Sequence, residues 1–407
     1  MDEAEIAGIA DWVVRRGLSG DDEVALLHGF CERCVGAGLA ISRGIAIIDT
    51  LHPVYEGRVF YWSGDKPLET VMSQYEPTTG GQETATWLSS PFYHLLQSRE
   101  GEMRRRLHLG ETAVFPVLEE LRQEGQTDWL ALVQHFDKEA AIGEMDCFMS
   151  RWTTTREGGF SDAEIAALRR LVPMLGLAIK SVSLTRVAQS LVEAYLGRDA
   201  GRRVLKGLVT RGAVERLNAV VWFSDMQGYT SLSERISSDE LIPLLNDYAE
   251  VAIMAVHGAG GDVLKLMADG VLAIFTADDP AEACAAALAA EAGLRLKLAS
   301  LNERRTAAGQ PVSSIYLGLH IGDVFYGNIG SKERLDFTVV GQAVNEASRI
   351  ASMCRSADRD VLFSSDFRAS LPEAERDRLV SVGRYALRGV SRPQELFTLD
   401  PEAAEIL

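Results

Sequence analysis

The chain has 407 residues, 47% of them hydrophobic and 24% charged, which suffices for two or three domains with real cores. Its formal net charge of −17 excludes a nonspecific nucleic-acid binder but not a nucleotide ligand, because the local field in a site matters more than the sum. No apolar run approaches the length of a membrane span, and the opening MDEAEIAG lacks a signal-peptide pattern, so a cytoplasmic protein without a membrane span is expected.

Residues 1–160 mix helices and strands. Ala4–Arg16 and Asp21–Ala37 carry amphipathic helical patterns. Cys31 and Cys34 form a CxxC with no second pair; they read as helix residues, with a metal or redox role as the alternative. Five scattered cysteines suit a reducing compartment. Strand-like runs follow at Gly44–Asp49, Arg58–Trp62, Ala113–Pro116, Trp129–Phe136 and Asp146–Thr153. Strands with helices packed on them suit an α/β sensor domain.

Residues 161–214 read as a helical linker. Ser161 and Glu164 have capping-box spacing. Ile165, Leu168, Val172, Leu175, Ile179 and Val182 recur in alternating steps of three and four, slip near Arg186, and resume with Leu184, Val187 and Leu191. This is a coiled-coil seam for a parallel dimer contact, or else a helix packed on its own domain. Pro173 should kink or break it.

Residues 215–400 carry the chemistry. Ala219–Phe223 is a short apolar strand, residues 228–257 are mostly helical with Pro243 inside, and Val263–Met267 and Val271–Phe275 form a hairpin around Ala268-Asp269-Gly270. A helix at Pro280–Leu301 and a strand at Ile315–Ile321 complete βαββαβ, the ferredoxin-like order, in an α+β chain. Asp225 follows the first strand and Asp269 sits in the hairpin turn; neighbouring strands would place both carboxylates on one edge, where they repel unless cations lie between them. Oxygen ligands of this kind suit Mg²⁺ or Mn²⁺, two per site; a turn or cap role is the alternative for either aspartate alone. Gly228-Tyr229-Thr230 opens a helix whose backbone N–H groups could cradle a triphosphate. Alternation sends Lys265 to the face opposite Leu264 and Leu266, either to solvent or to a purine ring nitrogen. Asn345 and Arg349 share one face of a helix preceded by Gly341; they are either its polar outer face or donors to a ribose and a phosphoryl group. His257 and His320 lack clustered partners and read as structural, and Gly260-Gly261-Asp262 reads as a turn.

The pieces WFSDMQGYTSLSE, GGDVLKLMADGVLAIF, LGLHIGDVFYGNIGS and RLDFTVVGQAVNEASRI resemble, in order, the catalytic domain of class III nucleotidyl cyclases. That resemblance covers residues 217–398 and implies roles by position. Asp225 and Asp269 match metal-binding aspartates. Lys265 and Thr338 match the two base-selecting positions, Asn345 and Arg349 the transition-state pair, and Arg388 a basic contact to the triphosphate. Lysine with threonine implies ATP, since guanylate cyclases usually place glutamate and cysteine there. Ala268 departs from the glycine usual before the metal aspartate. The resemblance further implies a head-to-tail homodimer with shared active sites. Gly158–Ile179 resembles the closing helix of GAF-type sensor domains, and Phe115–Leu130 resembles a segment upstream of some bacterial cyclases; together they imply a regulatory unit with a small-molecule or protein effector.

Overall fold

The computed structural model describes all residues except 65–67, 69, 77–81, 112–113, 138, 140–141, 144, 391 and 401–407, and leaves out the side chains of 82–84. The chain divides into two compact units, Met1–Leu191 and Val192–Leu407.

In the first unit, α1 (Glu3–Ser19) begins at Asp2, whose carboxylate accepts from the Glu5 N–H at 2.8 Å while Glu5 accepts from the Asp2 N–H. Ile6, Ile9 and Val13, at helical spacing, are buried. Helix α2 (Glu23–Gly36) buries Cys31 and Cys34 completely, and burial pushes the Cys34 thiol up to about 12, so both are inert packing residues. Six strands follow: β1 (Arg43–Asp49), β2 (Gly57–Ser63), β3 (Met72–Tyr75), β4 (Glu102–Arg105), β5 (Asp128–His135) and β6 (Cys147–Thr154). They form one antiparallel sheet in the order β3-β2-β1-β6-β5-β4. Helices pack on this sheet as expected, and its strands run antiparallel throughout. Phe30, Trp152 and Leu168 lie in the core under α1, α2 and the long helix α6 (Asp162–Leu196). Between these come α3 (Gln82–Leu88), α4 (Pro91–Ser98) and α5 (Pro116–Gln123); residues of α4 and α5 pack with Trp129, Val133 and Met149 in a second cluster. The run expected as a strand at Ala113–Pro116 is instead the entry to α5: Phe115 precedes its first residue, Pro116, whose fixed φ suits a first helical turn, and Ala113 lies outside the described residues.

Of the two readings of the three-four seam, the burial pattern matches a helix packed on its own domain. Ile165, Leu168, Val172, Leu175 and Ile179 are all buried in the first unit's own core, and α6 runs unbroken through Pro173. A three-four repeat over so few turns describes any amphipathic helix on a core, and α6 is continuous with the first unit up to residue 191 rather than a separate linker. The slip at Arg186 has a local cause. Its guanidinium donates at 2.9 Å to Glu23, a buried carboxylate that also accepts from Ser183. Helix α6 is the one described helix long and apolar enough to cross a membrane, yet 44% of its apolar window is buried within the protein.

Glu164 caps α6. It accepts from the Ser161 N–H at 2.8 Å, from Arg156 and from the Ala40 N–H at 3.1 Å. Burial acts to raise its carboxyl, but these donors outweigh burial and hold it at about 2. A depressed carboxylate stabilises the fold above its ordinary value of 4.5, and that stabilisation is lost as pH falls from there towards about 2. Glu164→Gln should cost about 1–3 kcal/mol at neutral pH and flatten the acid limb of the first unit's melting temperature between about pH 4.5 and 2. Calorimetry across pH checks this, and an unchanged acid limb would contradict it.

The second unit opens with α7 (Arg198–Leu205), within the stretch read as a helical linker. Strands β7 (Val214–Met226), β8 (Asp262–Leu266), β9 (Gly270–Phe275), β10 (Ile315–Gly330), β11 (Leu335–Val340), β12 (Val361–Ser364), β13 (Leu379–Tyr385) and β14 (Gln394–Leu399) form a mixed sheet. Its order is β13-β14-β12-β10-β7-β9-β8, with β11 paired to β10. The helices are α8 (Tyr229–Ser233), α9 (Ser238–Gly258), α10 (Pro280–Ala307), α11 (Gln342–Ala357), α12 (Ser365–Ser370) and α13 (Glu373–Arg376). Residues of α9 and α10 pack with Trp222, Ala273 and Leu317 in the largest cluster. Ala219, Val221, Leu264 and Leu272 belong instead to a cluster with Ala200 of α7, Phe337 of β11 and Ala347 of α11, so alternate residues of β7 serve opposite faces. Gly318 makes the α11 packing possible, because a Cβ there would lie 2.4 Å from the Ala351 nitrogen.

Strand β10 is 16 residues long, more than twice the expected Ile315–Ile321. Polar Asp323 interrupts the apolar pattern, but the ladder to β7 runs on to Gly327, β11 pairs with 325–330, and Asp323 accepts from Arg216 at 2.5 Å and from Asn218 at 3.1 Å.

Candidate active site

Asp225 is the penultimate residue of β7, within the strand rather than past its end, and pairs in register with Gly270, the first residue of β9. Asp269 occupies the tight turn before it, where the Met267 N–H donates to the Gly270 carbonyl at 2.8 Å. The Met226 N–H donates to the Asp269 carbonyl at 2.8 Å, fixing the turn against β7. The two carboxyl groups are thus side by side. Burial first, then the negative charge of Asp269 and a hydrogen bond between the two carboxyls, raise Asp225 to about 6. Hard oxygen donors so placed fit a divalent cation.

Gly270 is required for that proximity, since a Cβ there would meet the Ser224 carbonyl oxygen at 2.1 Å. Gly270→Ala should push β9 off β7 and destabilise the second unit by about 1–3 kcal/mol, measured by urea unfolding. A variant with the parent's stability would contradict the packing. Ala268 does not share this constraint: it is absent from the described non-glycine residues with positive φ, so its Cβ is accommodated without backbone strain.

Beside the aspartates lies an open cleft of about 920 Å³, lined by Asp225, Asp269, Gly228, Tyr229, Thr230, Tyr316 and Arg355 among others. The floor is braced. The Gln227 N–H donates to the Ser314 carbonyl at 2.9 Å, and the Ser313 hydroxyl donates to the Gln227 carbonyl at 2.7 Å. Tyr248 in turn donates to the Ser313 carbonyl at 2.8 Å. The helix opened by Gly228 is a single short turn, with Gly228 left-handed at φ 66°, and Tyr229 packs on the core cluster of α9 and α10. The helix start expected to cradle a triphosphate is therefore only one turn long. Tyr316 and Arg355 escaped sequence reasoning. Tyr316 is the register partner of Asp225, visible only once β7 and β10 are paired. Arg355 lies six residues beyond Arg349, which at about 3.6 residues per turn is a different side of α11.

The remaining candidates lie elsewhere. Among the described residues lining the cleft, Lys265, Thr338, Asn345, Arg349 and Arg388 are absent. A bulge in β8 brings Lys265 opposite Leu272, so it shares a face with Leu264's cluster instead of alternating away from it. Its ammonium donates to the Asp336 carboxylate at 2.6 Å. Thr338, half-buried on β11, pairs with Gly327 of β10, whereas Asp225 pairs with Tyr316. Positions 316 and 327 are eleven residues apart, about 36 Å along an extended strand. Asn345 and Arg349 are exposed on α11, one turn apart, opposite the buried Ala347 and Ile350. Arg388 is exposed in the turn between β13 and β14. His320 is structural: its Nδ1 lies 2.9 Å from the Ser364 hydroxyl, and burial lowers its pKa despite Glu346.

Two carboxylates set side by side on adjacent strands offer hard oxygen donors of the kind that suit a divalent cation. Residues 213–400 match the model of the adenylate and guanylate cyclase catalytic domain family. The chain is 34% identical over 175 residues to an adenylate cyclase of Anabaena cylindrica, a match spanning 42% of this chain and 34% of that protein. The matched region is therefore about a third of the length of that relative. Among solved structures, the adenylyl cyclase CyaB from P. aeruginosa is 27% identical, with a TM-score of 0.42, over 46% of this chain and 95% of that one. The guanylyl cyclase Cya2 is 26% identical, with a TM-score of 0.41, over 46% and 93%.

Proposed function

We propose that this protein is an adenylate cyclase, converting ATP to 3′,5′-cyclic AMP and pyrophosphate at two sites shared between copies of the chain. One observation carries the reading: the Asp225–Asp269 cleft and the Lys265, Thr338, Asn345 and Arg349 set are both present, yet one protomer does not join them. A second copy in a head-to-tail pair supplies to each cleft what it lacks. The βαββαβ succession within the second unit supports the same family architecture.

Asp225 and Asp269 would hold Mg²⁺ or Mn²⁺, and those ions, when bound, offset the triphosphate charge and acidify the ribose 3′-hydroxyl. The chain's own residues do the rest. Lys265 donates to a purine ring nitrogen that is an acceptor in adenine and carries hydrogen in guanine, and Thr338 contacts the adjacent edge. Asn345 orients the ribose so that its 3′-oxygen lies in line with the α-phosphorus and the departing pyrophosphate. Arg349 donates to the α-phosphoryl oxygens as charge builds there. The first unit, with its own sheet and core, is the regulatory half and takes a separate effector.

Product analysis by mass spectrometry tests this. The full chain with Mn²⁺ or Mg²⁺ should make cyclic AMP from ATP in preference to cyclic GMP from GTP. Preference for GTP would overturn the substrate assignment, and tight ATP binding without any cyclic product would overturn the enzymatic one.

A further inference from the structure

We propose that Asp336 is a positioning residue for base selection, holding Lys265 where it reads the purine; this rests on the cyclase reading above. Asp336 lies on β11, two residues before Thr338, so both project from the same side of that strand. Its carboxylate accepts from the Lys265 ammonium at 2.6 Å, and this contact joins β11 to the edge strand β8. Lys265, Asp336 and Thr338 therefore form one polar group drawn from two strands.

The pair is a poor stabiliser. Its side chains are 50% and 44% exposed, and ion pairs of that exposure contribute little to stability. Its consequence is geometric. A lysine has four rotatable carbons and three donors, and on an edge strand it is otherwise free to sweep solvent. With one proton committed to Asp336, the remaining two have restricted directions. Adenine presents an acceptor ring nitrogen beside a donor amino group, whereas guanine reverses both. A fixed ammonium beside acceptor oxygens suits the first pattern and opposes the second.

The test is a mutant cycle read as the ratio of kcat/KM for ATP to that for GTP, on the full chain. Asp336→Ala should lower the ratio about tenfold, the scale of one hydrogen bond. Asp336→Asn, which retains an acceptor and the side-chain shape, should lower it less and covers the case in which the alanine variant folds poorly. In a Lys265→Met background, Asp336→Ala should leave the ratio unchanged, because the effect travels through the lysine. An unaltered ratio in both single variants, or an equal drop with and without Lys265, would overturn the proposal. A parent chain that makes no cyclic nucleotide would instead sink the cyclase reading itself, so the two failures are separable.

Discussion

Asp225→Asn should abolish cyclic AMP formation, by at least about 10³-fold, while leaving the second unit as stable as the parent or more so. The two effects have one cause. Asp225 is raised to about 6 by burial and by Asp269, so at neutral pH the ionised pair works against the fold in the absence of cations. The sign follows from linkage. A carboxyl raised above its ordinary value of 3.8 lowers stability as pH rises through about 6, and asparagine removes that penalty at almost unchanged volume. Mn²⁺ alone should therefore raise the melting temperature of the parent and not that of the variant, because only the parent gains a countercharged pair. Equal Mn²⁺ stabilisation of both proteins, or turnover near the parent's in the variant, would remove Asp225 from the metal site. Asp269→Asn is expected to behave alike in turnover.

Arg349→Ala should reduce kcat by about 10²–10³-fold with little change in KM, the pattern of a donor that acts only as charge develops. The exposure of Arg349 on α11 makes a folding defect improbable as the origin, since no described ion pair or side-chain hydrogen bond is lost with it. Arg349→Lys should recover only part of the rate, because a lysine cannot offer two parallel donors to a phosphoryl group. A rise in KM at constant kcat would mean that Arg349 binds ATP uniformly and does not favour the transition state.

The sequence showed the site more clearly than the fold. Asp225, Asp269 and their hairpin were legible because tight turns and apolar strands leave strong local signals, and the structure brings those two side chains together. The edge strands β3 and β4 were missed because their residues, MSQY and EMRR, are polar, as suits strands with one unpaired side. The second half of β10 was missed for a different reason: it is held by pairing with β7, about a hundred residues away, and with β11. Helix α6 stayed open between an intermolecular seam and a helix packed on its own domain, because periodicity reveals which side is apolar and not what covers it. The bulge at Lys265 is also non-local, since it exists only in the pairing with β9.

The shared-site geometry is the core of the account, and mixing two dead variants measures it directly. Asp225→Asn and Arg349→Ala proteins, each inactive alone, should regain cyclic AMP synthesis when combined under conditions where labelled subunits are seen to exchange. A head-to-tail hybrid pairs the intact aspartates of one chain with the intact arginine of the other, leaving one whole site of two. A mixture that exchanges subunits fully and still makes no product would contradict the assignment of these residues to opposite sides of a common site.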